Sequence, residues 1–100
     1  MILEIADIKI KASQNAEFEQ AVETALVTIF PKSKGFVRHK FHRCIESPNR
    51  YVLQLNWETL EDHAVEFRGS SLFTEWRALV GSYFSEPPHV EHFALLLESK

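Results

Sequence analysis

Residues 50–67 read RYVLQLNWETLEDHAVEF, and the change of period inside this stretch decides the fold. Up to Glu58 the sequence alternates. Tyr51, Leu53, Leu55 and Trp57 share one face, and Val52, Gln54, Asn56 and Glu58 share the other, as on a strand with one buried side. At Thr59 the period becomes helical. Thr59 and Asp62 have the spacing of a capping box, whose hydroxyl and carboxylate satisfy free backbone N–H groups at a helix start. Leu60, His63, Ala64 and Phe67 follow as the predicted inward stripe.

Upstream, residues 36–46 and 50–58 flank Ser47, Pro48 and Asn49, the pattern of a β-hairpin. Residues 15–30 carry Phe18, Val22, Ala25, Leu26 and Ile29 at helical spacing, and Pro31 to Gly35 end that helix. Residues 2–10 form a strand that is apolar on both sides, with Leu3 and Ile5 on one and Ile2, Ala6, Ile8 and Ile10 on the other. Downstream, Gly69 interrupts the helix and Ser70 or Ser71 recaps it. The continuation places Leu72, Phe73, Trp76, Leu79, Val80 and Tyr83 on its apolar side. Pro87 and Pro88 stop it before a last strand over 89–98.

This order of elements predicts an α+β, ferredoxin-like βαββαβ fold with a four-stranded antiparallel sheet. Right-handed crossovers place both helical layers on one face of that sheet. The face left bare is apolar on the first and last strands, which predicts that two sheets pack together as a homodimer.

The composition agrees with one soluble domain spanning residues 1–100. It is 45% apolar and 25% charged, sufficient for a packed core. A net charge of −3 provides no electrostatic footprint for nucleic acid. The amino terminus lacks a cationic leader, and the run Phe93 to Leu97 is far shorter than a membrane span, so no export and no membrane insertion are expected. Cys44 is the single cysteine. It excludes an intrachain disulfide and a multi-cysteine metal site and suits the reducing cytoplasm.

The residues able to do chemistry are few. His63 lies on the inward stripe, where an imidazole needs a partner: either it is a buried histidine bonded to a backbone carbonyl, or it is the acid, base or donor of a pocket. Arg77 borders the apolar side of the last helix, from which its guanidinium can turn into the same cavity or extend to solvent. Trp57, Phe67 and Trp76 are either plain core or the walls of an aromatic small-molecule site. His39 with His42, and His89 with His92, have a spacing of three. On a strand this points each pair to opposite faces, so no metal site is expected. The basic run Arg38 to Arg43 is divided between two faces in the same way and reads as a solvated edge strand.

The stretch YVLQLNWETLEDHAVEFRGSSLFTEWRALVGSYFSEPPHVEH, Tyr51 to His92, resembles the antibiotic biosynthesis monooxygenase family. The features that carry the resemblance are Trp57 and Glu58 at the strand end, the acidic helix start, the break at Ser70 to Phe73 and the proline-led last strand. It implies a dimeric α/β barrel. In the members that oxidise polyketides, a tryptophan ends this strand, a phenol-binding tyrosine lies early in the next helix, and an arginine lies late. These positions fall on Trp57, His63 and Arg77, with histidine in place of tyrosine. An asparagine that helps hold the substrate in those members corresponds here to Leu53. The haem-degrading members place an iron-binding histidine late in the second helical region, and residues 70–84 contain none.

The resemblance thus implies a monooxygenase that needs no cofactor, because an electron-rich phenol or quinol supplies its own electrons to molecular oxygen. His63 would take or share the phenol proton, Arg77 would stabilise the anion, and Trp57, Phe67 and Trp76 would wall the ring. The alternatives are a non-catalytic dimer that binds a small aromatic molecule and a non-redox isomerase on the same fold.

Overall fold

The computed structural model describes residues 1–100. Strand β1 (Ile2–Lys9) leads into helix α1 (Asn15–Thr28), followed by a 3₁₀ turn at Phe30–Lys32. The hairpin strands β2 (Phe36–Arg43) and β3 (Arg50–Trp57) come next. A π-helical segment over Asp62–Phe67 then precedes helix α2 (Ser71–Val80), and β4 (His89–Ala94) closes the chain. The sheet is fully antiparallel in the order β2-β3-β1-β4, which is the ferredoxin-like arrangement.

The alternation along β3 is realised throughout, with Tyr51, Leu53, Leu55 and Trp57 all at most 1% exposed. They meet Phe18, Val22 and Ala25 of α1, together with Phe30, Phe67, Trp76 and Val80, in one apolar layer between sheet and helices. From β1, Ala6 and Ile8 join that layer, whereas Leu3 and Ile5 face the open side of the sheet and are half-buried. No helix is long and apolar enough to cross a membrane.

Three local expectations are corrected. The first concerns Leu60 and Ala64, which are exposed rather than inward. Thr59 Oγ1 does accept from the Asp62 backbone N–H, at 3.2 Å. Beyond it the chain winds as a π-helix, marked by the five-residue bond from Arg68 N–H to His63 carbonyl. This wider turn keeps His63 and Phe67 inward but rotates Leu60 and Ala64 to solvent. Gly35 fixes its start: its φ of +82° favours glycine, and the Asp62 carboxyl occupies the space of a Cβ.

The second correction is at the carboxyl end. Ladder pairing stops at Ala94, which faces Ile2, the first residue of β1, so the expected strand through residue 98 loses its partner. Leu95, Leu96 and Leu97 are left exposed. Third, β2 ends at Arg43 rather than residue 46, because the chain turns back through the bond from Arg50 N–H to Ser47 carbonyl.

A candidate active site at one end of the helix-covered sheet

A partly open cavity of about 210 Å³ lies between the helix-covered side of the sheet and the segments that follow it. Ala6, Ile8, Leu53, Leu55 and Val90 form its sheet wall. Phe30, Phe73, Trp76 and Phe84 form the opposite wall. Glu4 and His63 supply its buried polar groups, and Arg68 and Arg77 add two guanidiniums. A larger hollow of about 780 Å³ between α1 and β2 is open to solvent and is bordered by Glu19, Glu23, His39, Lys40, His42 and Arg43. Its one buried titratable group is Tyr51, whose hydroxyl is already paired with Glu19 and Asn15, whereas the smaller cavity holds a buried carboxyl beside an imidazole and is the candidate site.

Glu4 stands at an inward position of β1 and is 5% exposed. Its Oε1 accepts a hydrogen bond from Trp57 Nε1–H at 2.9 Å and lies 3.2 Å from His63 Nε2. Its other oxygen, Oε2, has no partner in the protein. The one fully enclosed side-chain polar atom without a partner is Ser33 Oγ, so Oε2 is open to the cavity that Glu4 lines. On its other side, His63 Nδ1 is 2.7 Å from Nε2 of His92, which is half-buried on β4. The strand register explains this meeting: Glu4 and His92 are directly opposed across β1 and β4, so their side chains share the covered face.

Burial pushes the Glu4 carboxyl up to about 7, although the Trp57 hydrogen bond and the charge of Arg68 pull it down. Burial likewise holds the His63 imidazole down to about 4, assisted by His92 and Arg68. His92 is lowered by partial burial and by Arg68. Near neutral pH the site therefore holds neutral imidazoles beside a carboxyl poised between its two forms, a state suited to proton transfer.

His63, Trp76 and Arg77 line the cavity as the sequence suggests. Trp57 and Phe67 lie one layer behind. Trp57 is fully buried and stacks on the His63 ring at 5.2 Å, and Phe67 stacks on His63 at 5.9 Å and on Phe30 at 5.2 Å. The two rings hold His63 in place from behind. The Arg77 and Arg68 guanidiniums each lie 5.9 Å from the Phe73 ring, and neither has a carboxylate partner. Leu53 faces the cavity as hydrocarbon, and the carboxyl on the sheet wall comes instead from Glu4 on the neighbouring strand. His39 and His42 lie on opposite faces of β2, as His89 and His92 do on β4, and no three His, Cys, Asp or Glu side chains are grouped to hold a metal ion.

Sequence reasoning passed over Glu4 and weighed His92 only as half of a metal pair with His89. The signal for Glu4 was present, because it fills the gap in the inward series Ile2, Ala6, Ile8 and Ile10. His92 carried no local signal, since its role depends on the pairing of β4 with β1.

A ferredoxin-like domain with a largely apolar cavity and a buried acid–imidazole pair is the class of protein that fold and site define. The sequence model of the antibiotic biosynthesis monooxygenase family matches residues 1–79, and the chain belongs to that family. It is 42% identical to the uncharacterised protein YczJ of Bacillus subtilis, over 93% of this chain and 97% of that one. A crystal structure from Bordetella bronchiseptica, provisionally named an antibiotic biosynthesis monooxygenase, is 44% identical. It covers 96% of this chain and 97% of its own, with a TM-score of 0.92. SnoaB of Streptomyces nogalater, a cofactor-independent oxygenase, shares the fold at 18% identity with a TM-score of 0.82, covering 97% and 94% of the two chains.

Proposed function

We propose that this protein is a cofactor-independent monooxygenase that oxidises a small phenol or quinol with molecular oxygen. The observation that carries this reading is the cavity with Glu4 and His63 among hydrocarbon walls and Arg77 beside them, in a chain of this family. A cavity of about 150 Å³ accommodates benzene. A volume of about 210 Å³ therefore accommodates one substituted ring.

Ground-state oxygen reacts sluggishly with closed-shell molecules but accepts electrons from a phenolate. His63, held neutral by its surroundings, shares the phenol proton together with the Glu4 carboxyl 3.2 Å away, and Arg77 stabilises the anion. Trp76 and Phe73 flank the ring, while Trp57 and Phe67 keep His63 oriented. For a quinol the reaction balances without another reductant. One oxygen atom enters the ring, the other leaves as water with two substrate hydrogens, and the quinol supplies all the electrons as it becomes a hydroxyquinone.

The experiment is to incubate metal-free, flavin-free protein with a simple quinol under isotopically labelled oxygen and to weigh the product. The expected product has gained one labelled oxygen and lost two hydrogens. A product of unchanged mass would replace this reading with a non-redox isomerase, for which the buried Glu4–His63 pair is also chemically suited.

The working unit of this reading is a homodimer in the cytoplasm, consistent with the single thiol of Cys44. Leu3 and Ile5 on the open sheet face and the exposed Leu95, Leu96 and Leu97 offer an apolar surface to a second copy. Sedimentation should therefore give twice the chain mass at micromolar concentration, and a monomer would remove the dimer from the account.

A further inference from the structure

We propose that Glu4, His63 and His92 form a proton relay, in which Glu4 receives the proton released in the cavity, His63 passes it along and His92 delivers it to solvent. The inference rests on the oxygenase reading for its purpose, though the relay itself can be tested without turnover. Its first ground is geometric. Glu4 Oε1 lies at ion-pair distance from His63 Nε2, 3.2 Å, and His63 Nδ1 is hydrogen-bonded to His92 Nε2 at 2.7 Å, so three titratable groups stand in single file, with the first link to close into a hydrogen bond as the proton passes. The file begins at the cavity, where Glu4 Oε2 is open, and ends at a half-buried ring on β4.

The second ground is that the His63–His92 contact fixes the chemistry. Two imidazole nitrogens 2.7 Å apart must share one hydrogen, so one ring donates and the other accepts. When Glu4 is protonated, its hydroxyl donates to His63 Nε2, the His63 proton sits on Nδ1, and this N–H donates to His92 Nε2. When Glu4 is ionised, His63 carries its proton on Nε2 and donates to the carboxylate, while His92 Nε2–H donates to His63 Nδ1. Passage between these states moves one proton across each link and releases one from His92 Nδ1 to water. Before the next passage the carboxyl must turn its newly gained O–H towards His63, and both rings must return their proton to Nδ1 by turning over or by exchange. In the passage itself His63 never becomes a cation.

That last feature answers a difficulty in assigning His63 alone as the base. An imidazole held down to about 4 cannot keep a proton near neutral pH, whereas a carboxyl at about 7 can. The charged groups that face the file are Arg68, which acts on all three members, and Arg77 across the cavity. Arg68 opposes a cationic imidazole and favours the carboxylate, so it drives the proton outward. Glu4 touches the cavity and is assigned a catalytic role. His92 acts through His63 and is a positioning and relay residue.

Nitrogen-detected NMR of the histidine rings in the purified chain, across a pH titration, tests the relay directly. In the wild type, His63 should change from its Nδ1–H to its Nε2–H tautomer as the pH rises through about 7, and His92 should change with it at the same midpoint. Glu4→Gln should abolish the transition in both rings. His89→Gln should leave it unchanged, since His89 lies on the open face with Glu91. A His63 that keeps one tautomer across the range, or a transition that survives Glu4→Gln, would overturn the relay.

With a quinol as substrate, His92→Phe should lower kcat about 10-fold or more with KM unchanged, and imidazole in the buffer should restore part of the loss. A kcat unaffected by His92→Phe would also overturn it. Tautomers that change together in a protein that takes up no oxygen would end the oxygenase reading and leave the relay standing.

Discussion

Tyr51 and Trp57 occupy the two ends of the buried face of β3, and each brings a polar atom into an aromatic cluster, yet the two ends differ in where those atoms lead. Tyr51 packs on Phe18 and Phe41, and its hydroxyl reaches the rim of the layer. There it donates to Glu19 Oε2 at 2.6 Å and accepts from Asn15 Nδ2 at 2.9 Å, and Glu19 is partly exposed and held by Arg43. Trp57 packs on Phe36, Phe67 and His63, and its indole N–H reaches inward to a carboxyl that is almost fully enclosed. The first arrangement satisfies a polar tip at the surface. The second keeps an acid in a low-dielectric site where ionisation is costly, and it does so beside a cavity. The difference separates a structural hydrogen bond from a site.

Removing the two ring systems should sharpen this contrast. Trp57→Ala should destabilise the fold by ~3–5 kcal/mol, from the lost packing and the cavity left behind. Tyr51→Phe should cost only ~0.5–1.5 kcal/mol, the net contribution of a hydrogen bond near water. Thermal unfolding measures both, and equal losses would erase the distinction between the ends.

Arg77→Ala should reduce oxygen uptake with a quinol by ~10²-fold, the usual loss when one group that stabilises a developing anion is removed. The melting temperature should barely move, because the guanidinium makes no ion pair. A variant as active as the wild type would remove Arg77 from the site.

A smaller effect concerns stability against pH. A carboxyl raised from 4.5 to about 7 makes its stabilising contribution below 4.5 and loses it as the pH rises through about 7. An imidazole lowered from 6.5 to about 4 makes its contribution above 6.5 and loses it as the pH falls towards about 4. Between 4.5 and 6.5 the two slopes oppose each other and partly cancel in the wild type, with the lowered His92 adding to the rising one. Glu4→Gln should expose stability that rises with pH, and His63→Gln stability that falls. Each slope is at most ~1.4 kcal/mol per pH unit. Denaturant titrations across this range should give slopes of opposite sign, and two slopes of the same sign would contradict the burial of one of the groups.

The sequence made the Tyr51 end and the general architecture easy to read, because both follow from local period. Alternation fixed the inward face of β3, and the strand-to-helix change at Thr59 located the layer above it. The site was legible only in part. His63, Trp76 and Arg77 sit on helical segments whose apolar stripes are visible in one dimension. Glu4 and His92 become partners through the β1–β4 register, which one sequence does not display. The exposure of Leu60 and Ala64 was hidden for a similar reason, since the π-turn starts where the Asp62 carboxyl fills the space beside Gly35, which is distant in sequence. Trp57 and Phe67 have the inward orientation their spacing predicts, but spacing alone does not say whether an inward ring touches a cavity or backs the residue that does.

The most direct test of the account is dissolved-oxygen uptake by metal-free, flavin-free protein with small quinols and phenols, comparing wild type, His63→Ala and Tyr51→Phe against autoxidation. The account predicts uptake that saturates with substrate, falls by ~10²–10⁴-fold in His63→Ala and is unchanged in Tyr51→Phe. Uptake no faster than autoxidation, or uptake that survives His63→Ala, would contradict it.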